Sequence, residues 1–505
     1  MNTLVERYSK QVVGTLSCFD RVIIRGTLPG ICYAEGMESY LRALNFPLYE
    51  YPRFAAPYNK MIREAAHRLS REAGCEIEVV RGQAISKEAR VREVLESRGT
   101  APGLIHVFSS MELCSTYRAR YDNEAGRASL RPDTGKCTYY YFYFMDEDLG
   151  VCYLRVPTWC PFQIQFYFNG HSELAAKLRR AGVDFQMADN AFVQVSDLAT
   201  AQRLADQTNA VKLHQKLDHY AALCCPAAAA LEVEYHWSFS QVEYSTDVIF
   251  LRQSDLRPIY ETISRMAIHA AKADDVATFL GRKLHGNYRN ELGNDFTSRI
   301  EGTRIKHHMG PVSIKMYDKA GLVLRIETTT NDVTFFQHHR YVEQRNGNRV
   351  FKLAPLRKTI HNVKDLQELM AAANRRYLAF ISELERPSAG LKALQKVTAP
   401  VTAKGRRYRG LNFFAPEDDA VLKAMVRGEN ALKGFRNRDL RRCVTNKSPA
   451  WISRCIKRLR LHGLIKSVGR TYKYYLTELG RRVLLTGTVL RETLILSTLA
   501  CNAPN

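Results

Sequence analysis

Four side chains in the stretch 303–329 have types and spacing that could act on a phosphodiester. Val312–Tyr317 and Leu322–Thr328 both alternate between apolar and polar residues. Period-two alternation places Val312, Ile314 and Met316 on one face and Ser313, Lys315 and Tyr317 on the other. The next segment separates Leu322, Leu324 and Ile326 from Val323, Arg325 and Glu327. If the two strands pair, Tyr317, Lys315, Arg325 and Glu327 gather on one face. A phenol among cations can serve as a nucleophile toward phosphorus, and the cations can stabilise charge on the transferring oxygens. The other reading is a solvated sheet face held by cross-strand ion pairs.

Further chemistry-bearing residues read more plainly. His307-His308 and His338-His339 are adjacent pairs, and neighbours on a strand point to opposite faces, so neither pair chelates by itself. Ordinary surface or half-buried histidines are expected there. Asp146, Glu147 and Asp148 fall in an expected turn, where solvation accounts for them. Asp20, in Cys-Phe-Asp-Arg-Val-Ile-Ile, heads an expected strand, a place where nuclease carboxylates occur, but a single acid defines no site. The aromatic strand Tyr139–Phe144 could stack bases of single-stranded nucleic acid, but its nearly continuous apolarity reads as a buried sheet centre. Twelve cysteines are scattered with no Cys-x-x-Cys, which reads as buried free thiols in a reducing compartment. No phosphate loop, dinucleotide fingerprint or serine-nucleophile elbow is present in the sequence. No metal ligands are assigned and no cofactor is evident; a divalent metal enters only if the protein is a nuclease.

The elements that must position these residues alternate between helix and strand. Helices are expected at 55–73, 87–98 and 172–181, and strands at 76–80, 104–108, 137–144, 151–156 and 163–168. Residues 201–230 read as helical. Strands follow near 232–250, 304–308, 312–317 and 322–328, and Asn346-Gly347 turns a hairpin. A helix near 363–384 closes this unit. The fold class is α/β or α+β and multidomain: a mixed-sheet N-terminal body at 1–200, a helical connector at 201–230 and a β-meander-plus-helix unit at 231–385. A basic linker at 386–410, a domain at 411–487 and a tail at 488–505 follow. No internal repeat is evident.

The domain at 411–487 carries the clearest pattern. Pro416-Glu417-Asp418-Asp419 opens a helix with acids in its first turn. A short helix spans about 437–444. Ser448-Pro449 caps a third, which ends at Gly463. Ile452, Cys455, Ile456 and Leu459 form its buried face, while Ser453, Arg454, Lys457, Arg458 and Arg460 lie opposite. Two strands, 464–468 and 472–477, flank Gly469-Arg470. Three helices and a basic hairpin resemble a winged helix-turn-helix, and Leu-Arg-Leu-His-Gly-Leu-Ile (459–465) resembles the end of a MarR-like recognition helix. The resemblance covers about 75 residues. It implies a third helix in the DNA major groove, with Ser448, Ser453, Arg454, Lys457 and Arg458 toward nucleic acid and Arg470 and Lys473 as wing contacts. It also leaves a homodimer open. The string Tyr-Asp-Lys … Leu-Arg-Ile-Glu within 315–327 resembles rolling-circle replication initiators, which implies strand nicking through a tyrosine with a divalent metal. The His-hydrophobic-His strand of such proteins has Gln163-Ile164-Gln165 as its nearest counterpart.

Charge agrees with a polyanionic partner. Residues 404–482 hold 21 Lys or Arg against 6 Asp or Glu, a net of +15, out of +23 for all 505 residues. A surplus so concentrated favours nucleic acid over a neutral metabolite. No run of about 18 apolar residues suggests a membrane span, and the N-terminal residues do not read as a secretory signal. A cytoplasmic DNA-binding protein with a large α/β body of effector or assembly function is therefore expected, with duplex DNA as the partner and no membrane. A mobile-element or replication enzyme that nicks and joins DNA, and a binder of structured RNA, are the alternatives.

Overall fold

The computed structural model describes residues 4–81, 86–99, 101–123, 126–282, 292–299, 302–384, 387–426, 434–444, 447–467 and 472–489. It divides into two units: residues 1–260 with 273–379, and residues 261–272 with 380–505. The protein is mixed α/β, as expected. None of the described helices is long and apolar enough to cross a membrane.

The first unit is built on one sheet of eleven strands. They are β1 (Val12–Thr27), β2 (Ile77–Val79), β3 (Gly103–Asp122), β4 (Arg127–Asp146), β5 (Gly150–Pro157), β6 (Ile164–Asn169), β9 (His236–Phe250), β10 (Leu292–Arg299), β11 (Gly302–Met309), β12 (Val312–Lys319) and β13 (Val323–Thr330); β7 (Phe185–Ala188) and β8 (Ala191–Val195) make a separate hairpin. The order is β10-β11-β12-β13-β9-β1-β6-β5-β4-β3-β2. Strands from the expected 1–200 and 231–385 domains thus share one sheet, joined where β1 pairs with β9.

A repeat invisible in the sequence emerges from this order. In each half the first strand lies at the centre of the sheet. The chain then leaves, and a four-stranded antiparallel meander returns from the edge to lie beside that first strand: β3 to β6 beside β1, and β10 to β13 beside β9. The two first strands pair antiparallel at the seam.

One face of this sheet is covered in two patches. Toward β3–β5, Val91, Val94 and Leu95 of the helix Lys87–Arg98 pack on Tyr139, Tyr141, Tyr143 and Tyr153. Toward the other end of β1, Leu16 and Cys18 lie under Leu174, Leu178 and Phe192, from the helix Gly170–Arg180 and β8. On the opposite face Phe144 and Phe166 stack on Tyr220 of the helix Ala210–Cys224. The aromatic run 139–144 is therefore buried on both faces, as its composition suggests.

Several expectations change. The 386–410 linker is a helix, Pro387–Thr398, followed by the hairpin Val401–Ala403/Arg406–Tyr408. Proline suits the first position of a helix, and Val397 is fully buried in the second unit's core, so this segment is structural. Asp146 and Asp148 are not merely solvated: Lys216 pairs with both, and Tyr220 donates to Asp146 at 2.7 Å. His307 is buried rather than half-exposed, between Asn294 Oδ1 and Tyr377 Oη at 2.7 and 3.0 Å. The eleven described cysteines are unbridged.

In the second unit the helices Pro416–Val426, Asn437–Cys443 and Pro449–Leu461 enclose a core of Val421, Met425, Leu440, Ile452, Ile456 and Leu459. Ile465–Ser467 pairs with Tyr474–Leu476, and Phe435 adds a single bridge to Tyr474. Gly463 ends the third helix with φ +73°, a left-handed conformation that glycine adopts without a Cβ penalty. The tail from 490 lies outside the described residues.

Candidate active site

Registry of the central strands sets the site. Lys315 faces Glu327 and Tyr317 faces Arg325 across β12 and β13, so the four residues singled out from alternation share one face. Ser245 of β9 lies opposite Glu327, which brings Glu243 close. On β1 the pairing with β9 jumps from Phe19–Tyr244 to Val22–Val242, leaving one extra residue on β1. A bulge of this kind re-aims side chains. Consecutive residues normally point to opposite faces, yet Asp20 and Arg21 line the same cavity. That bulge is the feature which alternation could not reveal.

The cavity has a volume of about 270 Å³. Besides Asp20 and Arg21 it is lined by Glu243, Glu327, Lys315, Tyr317 and Arg304, with Tyr167, Asn169 and Asn190 at its side. Carboxylate oxygens of Asp20, Glu243 and Glu327 lie within 4.8 Å of one another. Lys315 Nζ reaches Glu327 Oε1 at 2.6 Å and Glu243 Oε1 at 3.5 Å. Tyr317 Oη donates to Glu327 Oε2 at 2.7 Å. Burial first, and then the Glu327 charge, pushes the Tyr317 phenol far above its ordinary value. Burial and the charge of Glu327 likewise raise Glu243.

Arg325 does not face the cavity. It is fully buried behind it, with Nε and Nη2 on the two oxygens of Asp247 at 2.7 Å each and Nη1 on Asp20 Oδ2 at 3.1 Å. Nη2 also lies 2.9 Å from His171 Nε2. The imidazole stands between Asp20, 3.5 Å from Nδ1, and Asp247, 3.7 Å from Nε2; burial opposes its charge, but the negative groups around it raise its pKa well above the ordinary histidine value. Asn169 and Asn190 donate to Asp20 at 2.7 and 2.9 Å. Burial opposes the Asp20 charge, but the His171 contact, the Arg325 charge and the amide outweigh it and hold the carboxyl below its usual range. Asn169 also caps the helix Gly170–Arg180, and a Cβ on Gly170 would come within 2.2 Å of the Phe19 carbonyl oxygen. Glycine there lets the helix start against the bulge.

Asp20, Asp247, Glu243 and Glu327 supply four carboxylates, and Arg325 and Lys315 supply two cations in contact with them. His171 stands between two of these carboxylates, and Arg21 and Arg304 lie beside the others. Three converging carboxylates suit a hard divalent cation. Asp20, Glu243 and Glu327 are the residues that would hold it.

The expected nucleic-acid residues divide in two. Ser453, Arg454 and Lys457 are exposed on Pro449–Leu461, and Ser448 caps that helix by accepting from Trp451 N at 3.3 Å. Lys473 is half-buried, 5.7 Å from the Tyr475 ring. Arg458 is a correction: it turns inward to a short ion pair with Asp418, and the two are only 8% and 1% exposed. Its position three residues after Cys455 puts it at the edge of the buried face. Arg470 lies outside the described residues. Comparison with family models, curated proteins and solved structures found no match to this chain.

Proposed function

We propose that this chain is a DNA-processing protein whose second unit acts as a winged helix on duplex DNA and whose central cavity cuts phosphodiesters. The observation that carries the second half is the convergence of Asp20, Glu243 and Glu327 from three adjacent strands beside Tyr317 and Lys315. The first half rests on the +15 charge of residues 404–482 and on the exposure of Arg454 and Lys457. A divalent cation held by the three carboxylates would supply Lewis-acid polarisation of a phosphoryl oxygen.

The chain's own residues have assigned roles. Lys315 and Arg304 lie where they can neutralise charge on the non-bridging oxygens. The Tyr317 phenol is neutral at ordinary pH and is already hydrogen-bonded to Glu327. Its proton passes to Glu327 as Oη bonds to phosphorus, and the bond to the leaving deoxyribose oxygen breaks with that oxygen taking a proton from solvent water; reversal rejoins the strand. Activation by Glu327 and not by a low intrinsic pKa is what the geometry favours.

A second reading has its own support. Asp20 already accepts hydrogen bonds from Asn169, Asn190 and Arg325, as a purely structural ion-pair network requires, and the protein would then bind DNA without cutting it. Labelled duplex, single-stranded DNA and RNA, incubated with Mg²⁺ or Mn²⁺, separate the readings. Nicking with a covalent adduct, lost in Tyr317→Phe and Glu243→Gln, supports the cutting reading. Salt-sensitive duplex binding lost in Arg454→Ala/Lys457→Ala, with no cleavage in either metal, leaves a DNA-binding protein. Stronger binding to RNA at matched salt refutes both.

A further inference from the structure

The same sheet face carries a second polar region, a strip that the cutting reading does not use. Directly paired residues of an antiparallel sheet share a face, so the strip can be followed across the strands. Arg25 on β1 lies opposite Gln165 on β6, and Gln165 lies opposite Arg155 on β5. A second, smaller cavity sits there, lined among others by Arg25, Gln163, Gln165, Arg155, Tyr139 and Trp159. Arg25 is exposed and has no ion-pair partner among the described residues. The Arg155 guanidinium is paired with Glu112 and lies 3.8 Å from the buried Tyr139 ring centroid, and the Trp159 indole N–H is fixed on Thr116 Oγ1 at 2.9 Å. Arg21, between the two cavities, stands 5.6 Å from the Tyr167 ring.

Beyond the carboxylates the strip continues onto β12 and β11, where Lys315 lies directly opposite Lys306. Glu327 and Glu243 already offset the charge of Lys315, so Lys306 is the cation that this end adds for a phosphate. The strip is bounded. The helix Lys87–Arg98 covers the sheet beside it, and the helix Gly170–Arg180 with β7–β8 covers β1 on the other side.

We propose that this strip is a track for single-stranded DNA, running from the Arg25–Gln165 cavity to the carboxylates. The inference rests on the proposed action on DNA and adds the form in which the strand reaches the site. Trp159 and Tyr167, both partly exposed, offer stacking for bases, and Arg21 and Arg25 offer charge for phosphates, which is what a sequence-tolerant single-strand site needs. Glutamine amides at 163 and 165 can meet base edges. Arg21 and Arg25 are four residues apart on β1, roughly 13 Å at about 3.3 Å per residue. That span matches about four nucleotides at a stacked rise of ~3.4 Å.

The test uses the full chain carrying Arg454→Ala/Lys457→Ala, so that the second unit contributes little. Fluorescence anisotropy is read in EDTA with a fluorescein-labelled 15-nucleotide oligo-thymidylate, a blunt 15-base-pair duplex and oligo-uridylate of equal length. Adding Arg25→Ala is expected to weaken oligo-thymidylate binding about five- to tenfold and to lower the salt slope by about 0.7, the loss of one phosphate contact on a single strand. Gln165→Ala should weaken binding without changing the slope. Duplex binding should move less than twofold in either. Unchanged oligo-thymidylate affinity in both variants, equal weakening of duplex, or tighter binding of oligo-uridylate would each overturn the track. The two readings fail separately. An Arg25 effect without cleavage in any metal keeps the track and removes the nuclease; cleavage without an Arg25 effect on single-strand binding does the reverse.

Discussion

Replacing Arg325 by methionine should destabilise the first unit in a way whose pH dependence identifies the cause. Arg325 is fully buried and spans Asp20 and Asp247, which are 3% and 2% exposed. Methionine keeps much of the volume and removes the charge, leaving two buried carboxylates. Breaking a buried pair costs about 3–5 kcal/mol, because the remaining charge is uncompensated. Asp20 keeps the amides of Asn169 and Asn190, so most of the loss falls on Asp247. In the wild type, burial works against the Asp247 charge but Arg325 more than offsets it, and both carboxyls are held below their usual range. Their stabilisation is therefore present above about pH 4 and lost as pH falls through the lowered folded values. In Arg325→Met the main charge opposing burial is gone, and the folded value of Asp247 rises above its unfolded one. The folded state then binds the extra proton, and stability contributed by this group is lost as pH rises. The deficit of the variant must be small near pH 4 and grow toward pH 7, by about 1.4 kcal/mol per unit of upward shift. Urea unfolding followed by tryptophan fluorescence in a Trp451→Phe background reports the first unit through Trp159 and buried Trp237. Adding Asp247→Asn should recover more than half of the neutral-pH loss. A deficit below about 1 kcal/mol at pH 7, or one equal at pH 4.5 and 7.5, would refute the assignment of these charges.

Other outcomes follow from the same physics. Glu243 is raised by burial and by Glu327, so Mn²⁺ binding, which needs the carboxylate, should tighten as pH rises from 5 to 8. Calorimetry should find that dependence flattened in Glu243→Gln along with a loss of at least tenfold in affinity. Burial, with a smaller contribution from His308, holds His307 near pH 4, so folding favours its neutral form. Stability from that group is present above about pH 6.5 and lost as pH falls toward 4, on the order of 3 kcal/mol, and His307→Gln should remove that slope in an acid titration. Within one helix of the second unit, Arg458→Met should cost about 3–5 kcal/mol through Asp418, while Lys457→Ala should change stability by less than about 0.5 kcal/mol and weaken duplex binding. Thermal melts beside duplex titrations check both.

Alternation alone brought Lys315, Tyr317, Arg325 and Glu327 together, because period two is strict wherever a strand is regular. It did not separate Arg325 from the other three, since a face on the sheet does not say which members are covered from above. Asp20 was visible only as an isolated acid. Its partners Asn169, Asn190 and Arg325 stand 149, 170 and 305 positions away in sequence, and the bulge that turns it inward carries no residue signature. In the second unit, Ser448-Pro449 and Gly463 made the third helix legible from its caps. Helical spacing misplaced Arg458 because position i+3 from Cys455 lies at the boundary of two faces, and a buried acid decided the matter. The repeated halves escaped notice because what repeats is strand order and not residue type.

The location of the polar cavity in this sheet argues for use. An antiparallel sheet can leave one face to water, and here the open cavity lies between two covered patches of that face. The middle is also the seam between the repeated halves, where β1 meets β9 and each half contributes acids: Asp20 from one, Glu243, Asp247 and Glu327 from the other. A network serving stability alone would gain by being apolar, since a buried ion pair is often no better than packed hydrophobic side chains of the same volume. Four carboxylates gathered at a seam are costly for folding. That cost is reduced when a cation and a strand of opposite charge occupy the opening, and so the stability of the first unit should rise measurably when Mn²⁺ and oligo-thymidylate are present together, more than with either alone.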